Sequence, residues 1–434
     1  MTTHHHTNLY TNLTDSYDTK KDYSGITGER IADRLQQLSQ IGPDPDGGVT
    51  RPGYSDNEKT AKRLVQTWMQ EAGLEVYEDG AGNVIGRLSG KDNQSPAIAS
   101  GSHVDTVPNG GNFDGTVGVL AAIEVAEAWK HTGYTPQKPY EIIVFSDEEG
   151  SRFSSGLTGS MAMTGDRDMA TQKQLVDYDG KSFEEVLKAY GTSLHSFETA
   201  IKDLSKLNLF IEVHIEQGTQ LEKEHLPVGI VSGIAGPARL DVTFTGEAGH
   251  AGSTPMIGRK DALVASGVFL ENTSHLPGKV SDTAVATVGQ LNVHPNGANV
   301  IPEEVKMTVD IRDIHEESRD NLLNMIADEA KQIAKNRHIG CQVRETLKIK
   351  PIPIKQELQN QLSDIIEKHG FNTLYIPSGA GHDAMNMGRH TDACMLFVRS
   401  KNGISHHPDE WSTLNDIVTT IHVLKSFIEE KMKE

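Results

Sequence analysis

The sequence predicts an α/β protein in which a larger domain with a largely parallel sheet is interrupted by an inserted α+β domain. Two observations carry this. Compact apolar runs at 97–102 and 141–146 flank a helical run at 116–131, as buried strands do when helices cover both faces of a sheet. Further along, strand and helix patterns follow the order β-α-β-β-α-β, the ferredoxin-like split unit.

Element by element, residues 1–25 hold His4-His5-His6 and many polar residues without an apolar period, and read as a weakly ordered extension. Apolar positions at Ile31, Leu35 and Leu38, then Leu64, Val65, Trp68 and Met69, mark two amphipathic helices, the second stopped by Gly73. Strands at 74–77 and 83–88 enclose Asp79-Gly80-Ala81-Gly82, a hairpin turn rather than a nucleotide loop because no helix follows it. The run 116–131 is apolar around most of its circumference and ends at Gly133, so it reads as a buried helix. In the insert, Leu240, Val242 and Phe244 alternate with polar residues. A helix at 260–272, strands at 284–291 and 305–312, a helix at 317–335 and a strand at 342–348 follow. After Pro351 and Pro353 the α/β pattern resumes with a helix at 356–369, a strand at 393–398 and a helix at 414–431. The expected domains are therefore 26–234 with 351–434, and 235–350 inserted between them.

Composition narrows the function. The chain has 434 residues, with 41 Lys+Arg against 60 Asp+Glu and a formal charge of −19. A nucleic-acid binder needs a basic surface, which this balance opposes. No apolar run reaches the roughly 18–20 residues that span a bilayer, and the polar start carries no apolar leader region. Two cysteines, Cys341 and Cys394, supply no disulfide framework and read as thiols in strands. The expectation is a cytoplasmic protein without nucleic-acid or membrane partners. Its 19 histidines invite a closer look.

Histidines and acids gather at predicted strand ends: His103-Val104-Asp105, Asn112-Phe113-Asp114-Gly115, Asp147-Glu148-Glu149, Glu212-Val213-His214 and, far downstream, Ser405-His406-His407. Ligands bind beyond the C-terminal ends of parallel strands. Singly, each cluster has a plain structural reading as a helix cap or a solvated turn. Together they would repel one another, and divalent cations remove that cost. Imidazole and carboxylate suit zinc, manganese or cobalt. A two-cation centre needs a bridging carboxylate, and Asp114 on its glycine-flanked turn fits best. His103 and His214 then serve one cation, Glu149 and His406 the other. Asp105 sits behind His103 to accept its second N–H. Glu148 remains as general base for the activated water, although spacing alone also allows Glu148 as ligand and Glu149 as base.

These motifs resemble the hydantoinase/carbamoylase family, which includes N-carbamoyl-L-amino-acid hydrolases, beta-ureidopropionases and allantoate amidohydrolases. The family lies within the di-metal aminoacylase/carboxypeptidase superfamily. The resemblance rests on Gly101-Ser102-His103-Val104-Asp105, Gly111-Asn112-Phe113-Asp114-Gly115 and Asp147-Glu148-Glu149-Gly150-Ser151-Arg152-Phe153. It extends through Glu216-Gln217-Gly218, Gly249-His250-Ala251-Gly252, Ser378-Gly379-Ala380-Gly381-His382-Asp383 and Ile404-Ser405-His406-His407-Pro408. It implies a di-metal exopeptidase-like catalytic domain with two divalent ions per subunit (zinc, or manganese, cobalt or nickel), and Glu148 as base. It further implies an inserted lid that closes over the active site and makes a homodimer. Arg312 would clamp the substrate carboxylate, Asn299 would bind the same region, and His250 would stabilise the oxyanion. Gln217 and the loop through Gly381 would line the ureido pocket. Arg239 matches a substrate-contacting arginine of allantoate-type members, although Pro237-Ala238 before it departs from the expected Gln-Arg.

The expected reaction is hydrolysis of the ureido C–N bond of an N-carbamoyl-L-amino acid or an allantoate-like substrate. A rival keeps the cations and cleaves ordinary amides, as an aminoacylase or dipeptidase does. A non-catalytic protein on a decayed hydrolase scaffold is a rival of another class, opposed by a complete ligand set and base. A serine or cysteine amidase lacks support, because no GxSxG elbow is present.

Overall fold

A computed structural model describes residues 8–434, so the His4-His5-His6 run lies outside the described residues. The chain divides into two compact units. The first comprises 8–231, 354–376 and 382–434; the second comprises 232–353 and 377–381. The insert therefore starts and ends about three residues outside the expected 235–350, and it recruits a short loop from the distant sequence.

In the first unit, four strands lie parallel in the order Tyr140–Phe145, Ala97–His103, Leu207–Ile215 and Asp392–Val398. The hairpin Glu75–Glu78 and Val84–Leu88 continues the sheet antiparallel beside Tyr140–Phe145. The parallel strands are nearly all buried, which explains their continuous apolar character. Leu207–Ile215 is absent from the strands read in the sequence. Asn208, Glu212 and His214 interrupt its apolar run, and the last two point into a polar interior rather than to solvent. The helix Thr116–Thr132 is buried around its circumference, and Leu414–Lys431 and Gly28–Ser39 pack against it.

Residues 8–25 depart from the expected weak order. They form a helix, Leu9–Thr14, and a 3-10 turn, Thr19–Lys21, with Leu13 buried. Leu13 joins the main core, with Leu9, Tyr10 and Tyr17 packed against it, an apolar face too short and too mixed with polar residues to stand out as a period. Tyr23 stacks on His422 with ring centroids 3.7 Å apart, and His422 Nε2–H donates to the Lys21 carbonyl at 2.8 Å.

The second unit is a four-stranded antiparallel sheet in the order Gly340–Lys348, Ala238–Thr245, Glu304–Arg312 and Val285–His294. The helices Ala262–Ser274 and Glu316–Arg337 pack on it, giving the ferredoxin-like arrangement. Leu240, Val242 and Phe244 face those helices together with Val305, Met307 and Val309. Among the described residues, no helix is long and apolar enough to cross a membrane.

Candidate metal centre

Each of the four parallel strands delivers a functional side chain to one rim. Ala97–His103 ends on His103, and Tyr140–Phe145 leads into Glu148 and Glu149. His214 lies inside Leu207–Ile215 rather than beyond it, and Asp392–Val398 leads through a short turn to His406. Asp114 stands two residues ahead of Thr116–Thr132. The residue between them, Gly115, has φ +63°, and a Cβ there would press on the His103 ring at 2.5 Å. Only glycine satisfies both the backbone angle and the close approach.

Two donor groups share Asp114: His103, Asp114 and His214, and Asp114, Glu149 and His406. His214 Nε2 lies 2.9 Å and His103 Nε2 3.5 Å from Asp114 Oδ1. On the other oxygen, His406 Nε2 lies 3.5 Å from Asp114 Oδ2 and 3.3 Å from Glu149 Oε2. A tetrahedral set with bonds of about 2.0–2.1 Å holds its donors roughly 3.3 Å apart, so these spacings fit cations. His103 Nε2 is buried and has no hydrogen-bond partner, although it faces two carboxylates, those of Asp114 and Glu148. A nitrogen left in that state is costly unless a ligand takes it. The donor set and the orphaned nitrogen thus suit divalent metal.

Electrostatics carry the same message. Burial, then Asp114, pushes Glu149 up to about 8, while Asp114 hydrogen bonding and Glu149 raise His406 to about 9 against the effect of burial. Burial, with Asp383 and Glu149 adding to it, drives Glu148 well above the carboxylate range. His214 and His103 outweigh burial and hold Asp114 well below it. Such a gathering of buried acids and imidazoles is poised for cation binding. Three non-glycine residues of the rim, Asp147, Gln217 and His406, have φ of +51°, +57° and +56°. Strain of this kind clusters at functional sites.

Asp105 behaves differently from the expectation. His103 Nδ1 lies 3.1 Å from the Asp105 main-chain carbonyl and 3.4 Å from its carboxylate. The carboxylate oxygens instead accept the amides of Glu148 at 3.2 Å and Glu149 at 3.1 Å. Asp105 thus ties His103 to both glutamates. Gln217 Nε2 donates to Asp114 Oδ2 at 2.8 Å and to Ser405 Oγ at 3.1 Å.

Sequence reasoning missed two residues here. Glu410 accepts the amides of Phe113 at 2.8 Å and Asp114 at 3.0 Å, and Ser405 Oγ donates to Asp114 Oδ2 at 2.8 Å. Burial and Asp114 push Glu410 up to about 7. Its only sequence signal is an acid four residues after His406.

The remaining candidates belong to the second unit. Gly249–His250 pairs with Val300–Ile301, and Ala251 N–H donates to the Asn299 carbonyl at 2.9 Å, so His250 and Asn299 sit on one small ladder. His250 Nδ1 accepts the amides of Gly252 and Ser253, both at 3.2 Å. Arg312 Nε donates to Asp310 Oδ1 at 2.6 Å, and its Nη1 to the Gly379 carbonyl at 2.6 Å, next to Gly381 in the recruited loop. Arg239 faces Asp310 across the sheet and donates to its other oxygen at 3.1 Å.

Comparison with known proteins gives the same picture. Residues 99–430 match the Peptidase family M20/M25/M40. The N-carbamoyl-L-amino-acid amidohydrolase of Pseudomonas sp. (strain NS671) is 40% identical over 402 residues, covering 92% of this chain and 97% of that protein. The allantoate amidohydrolase of Bacillus subtilis (strain 168) is 36% identical over 398 residues, covering 92% and 96%. The crystal structure of an amidase of the hydantoinase/carbamoylase family from Burkholderia multivorans superposes with a TM-score of 0.88 at 31% identity, covering 94% and 99%. The chain belongs to the Peptidase family M20/M25/M40, in its hydantoinase/carbamoylase group.

Proposed function

We propose that this protein is a metal-dependent amidohydrolase that cleaves the ureido C–N bond of an N-carbamoyl-L-amino acid or an allantoate-like substrate. The observation that carries the reading is the pair of donor groups sharing Asp114, with Glu148 beside them and outside both. The names of the Pseudomonas and Bacillus relatives support the bond type.

In this reading His103 and His214 would hold one divalent cation, Glu149 and His406 would hold a second, and Asp114 would serve both. Bound cations, zinc or manganese, cobalt or nickel, supply Lewis acidity and make water more acidic. Glu148 takes a proton from the attacking water and delivers it to the departing nitrogen. Burial already raises its proton affinity, which suits a base that must carry a proton between two steps. Asp105 aims Glu148 through its amide. His250 Nδ1 accepts two amides, so a neutral ring carries its proton on Nε2 and has a donor to offer a developing oxyanion. Arg312 binds the substrate carboxylate, assisted by Arg239 and Asn299. Gln217 in the first unit and the loop at Gly381 in the second are the further candidates for holding the ureido group.

We also infer a cytoplasmic homodimer formed through the second unit. Val285–His294 is an edge strand with Val285 and Leu291 exposed, and the apolar helix Ala262–Ser274 exposes Leu263 and Val264. An open edge beside apolar surface invites pairing.

The test is Glu148→Gln with a substrate panel. The variant should keep wild-type metal content and lose turnover of N-carbamoyl amino acids by about 10²–10⁴-fold, the usual share of general base catalysis. Undiminished turnover removes Glu148 from the base role. Faster wild-type release from N-acetyl or dipeptide substrates than from ureido substrates contradicts the substrate class.

A further inference from the structure

We propose that Arg51 is a positioning residue for the metal centre. It anchors a short segment, Gly48-Val49-Thr50-Arg51, that splints the loop between His103 and Asp114.

That loop, 104–113, forms neither helix nor sheet strand, so its own backbone does not fix the spacing between two candidate ligands. The segment 49–51 runs alongside it and ties it down along its length. Val49 and Gly110 exchange both main-chain hydrogen bonds, at 3.0 and 2.9 Å. Asn109 N–H donates to Thr50 Oγ1 at 2.8 Å. Thr106 N–H donates to the Arg51 carbonyl at 3.0 Å, while Arg51 N–H donates to Thr106 Oγ1 at 2.9 Å. A Cβ at Gly48 would collide with Asn109 Oδ1 and the Gly110 carbonyl, so only glycine lets the two segments approach.

The Arg51 side chain completes the tie from behind. Its Nε donates at 2.9 Å to the carbonyl of Val104, the residue between His103 and Asp105. Its Nη1 reaches back to the carbonyls of Leu38 at 3.1 Å and Ile41 at 3.2 Å, where a helix ends. The guanidinium is 0% exposed, and among the described residues no carboxylate pairs with it. Nη2 has no hydrogen-bond partner. Burying such a cation costs several kcal/mol, and packing alone is served better by an apolar side chain. Burial pulls its pKa down to about 10, and the charges of Asp105 and Glu410 oppose that fall. Arg51 is thus a fixed positive charge behind an acid-rich wall. It holds the Val104 carbonyl, Asp105 follows, and Asp105 carries the amides of Glu148 and Glu149.

The inference rests on the metal-centre reading but fails separately from it. The full chain is stripped of metal, Mn²⁺ is titrated by calorimetry, and thermal unfolding of the apoprotein is followed in parallel. Arg51→Lys keeps the charge and loses the three-carbonyl fork. It should weaken Mn²⁺ binding about 10–100-fold, the range for groups that orient ligands. With Mn²⁺ saturating, KM should stay within twofold of wild type. Thr106→Val removes the hydroxyl that receives the Arg51 amide and donates to the Val49 carbonyl at 3.2 Å, and should weaken Mn²⁺ severalfold in a folded protein even where Arg51→Lys does not fold. Affinity within twofold of wild type in the folded variants, whatever their apoprotein Tm, overturns the inference alone. Absence of Mn²⁺ binding by the wild type overturns it together with the metal-centre reading.

Discussion

Asp114 is where the chemistry concentrates, because His103, His214 and His406 all lie within 3.5 Å of one of its two oxygens. Its own geometry is set by groups that never touch a ligand. Glu410 fixes its amide, Ser405 its Oδ2, and Gly115 lets the following helix start against the His103 ring. Replacing Glu410 with Ala should therefore lower metal affinity about 10–100-fold while leaving the five donors in place. Calorimetric titration of the apoprotein checks this, and an unchanged affinity removes Glu410 from the support of Asp114. The five candidate donors that the structure gathers were legible in the sequence because histidine and acid chemistry leaves few ways to neutralise such a cluster. Glu410 and Ser405 were not. A carboxylate that accepts main-chain amides follows no spacing rule, and a serine beside a carboxylate is commonplace. The role of Asp105 was legible only in part, since its partners are amides that reside on another strand's turn.

Among the elements, the first long helix, Asp56–Glu71, shows how a polar pair serves the core. Glu58 and Lys62 form a 2.7 Å ion pair with both side chains buried, and Lys62 also donates to Ser146 Oγ at 2.6 Å. Lys62→Met leaves Glu58 unpaired in the interior and should destabilise the fold by about 3–5 kcal/mol. Urea unfolding measures this, and a loss under 1 kcal/mol shows the pair to be dispensable. Strands were read from the sequence where apolar character was unbroken or alternated cleanly, although the buried strand Val228–Ile234, with two glycines and a serine among its seven residues, was passed over. Leu207–Ile215 escaped because its polar residues face a buried site, the case where functional demands override the pattern. The N-terminal segment escaped for a different reason, since its apolar face is only four side chains long and aromatic stacking and hydrogen bonds complete its attachment. That attachment should depend on pH. Burial, with His369, Lys425 and Lys21 nearby, lowers His422 to about 4. An unfolded histidine titrates near 6.5, so between 6.5 and 4 the unfolded chain binds a proton that the native chain refuses. Stability from this group is full above 6.5 and is lost as pH falls towards 4. His422→Asn should flatten the fall of Tm between pH 6.5 and 4.5, and an unaltered profile contradicts this account.

For the molecule as a whole, the two units divide the proposed labour, with cation donors in the first and carboxylate-binding arginines in the second. The ferredoxin-like order of the insert was legible because its strands alternate and its helices are amphipathic or apolar. Its boundary was not, since the loop 377–381 joins it through space rather than along the chain. The homodimer inferred from the open edge predicts that Val264→Glu lowers the sedimenting mass from two chains to one. A wild-type monomer, or a variant that sediments as the wild-type dimer does, excludes that surface.

Metal stoichiometry measured by mass spectrometry after exhaustive dialysis tests the centre most directly. Two divalent ions should remain with each wild-type chain, and Asp114→Ala, which removes the shared carboxylate, should retain fewer than one. A wild-type chain holding none, or an Asp114→Ala chain still holding both, would contradict the account.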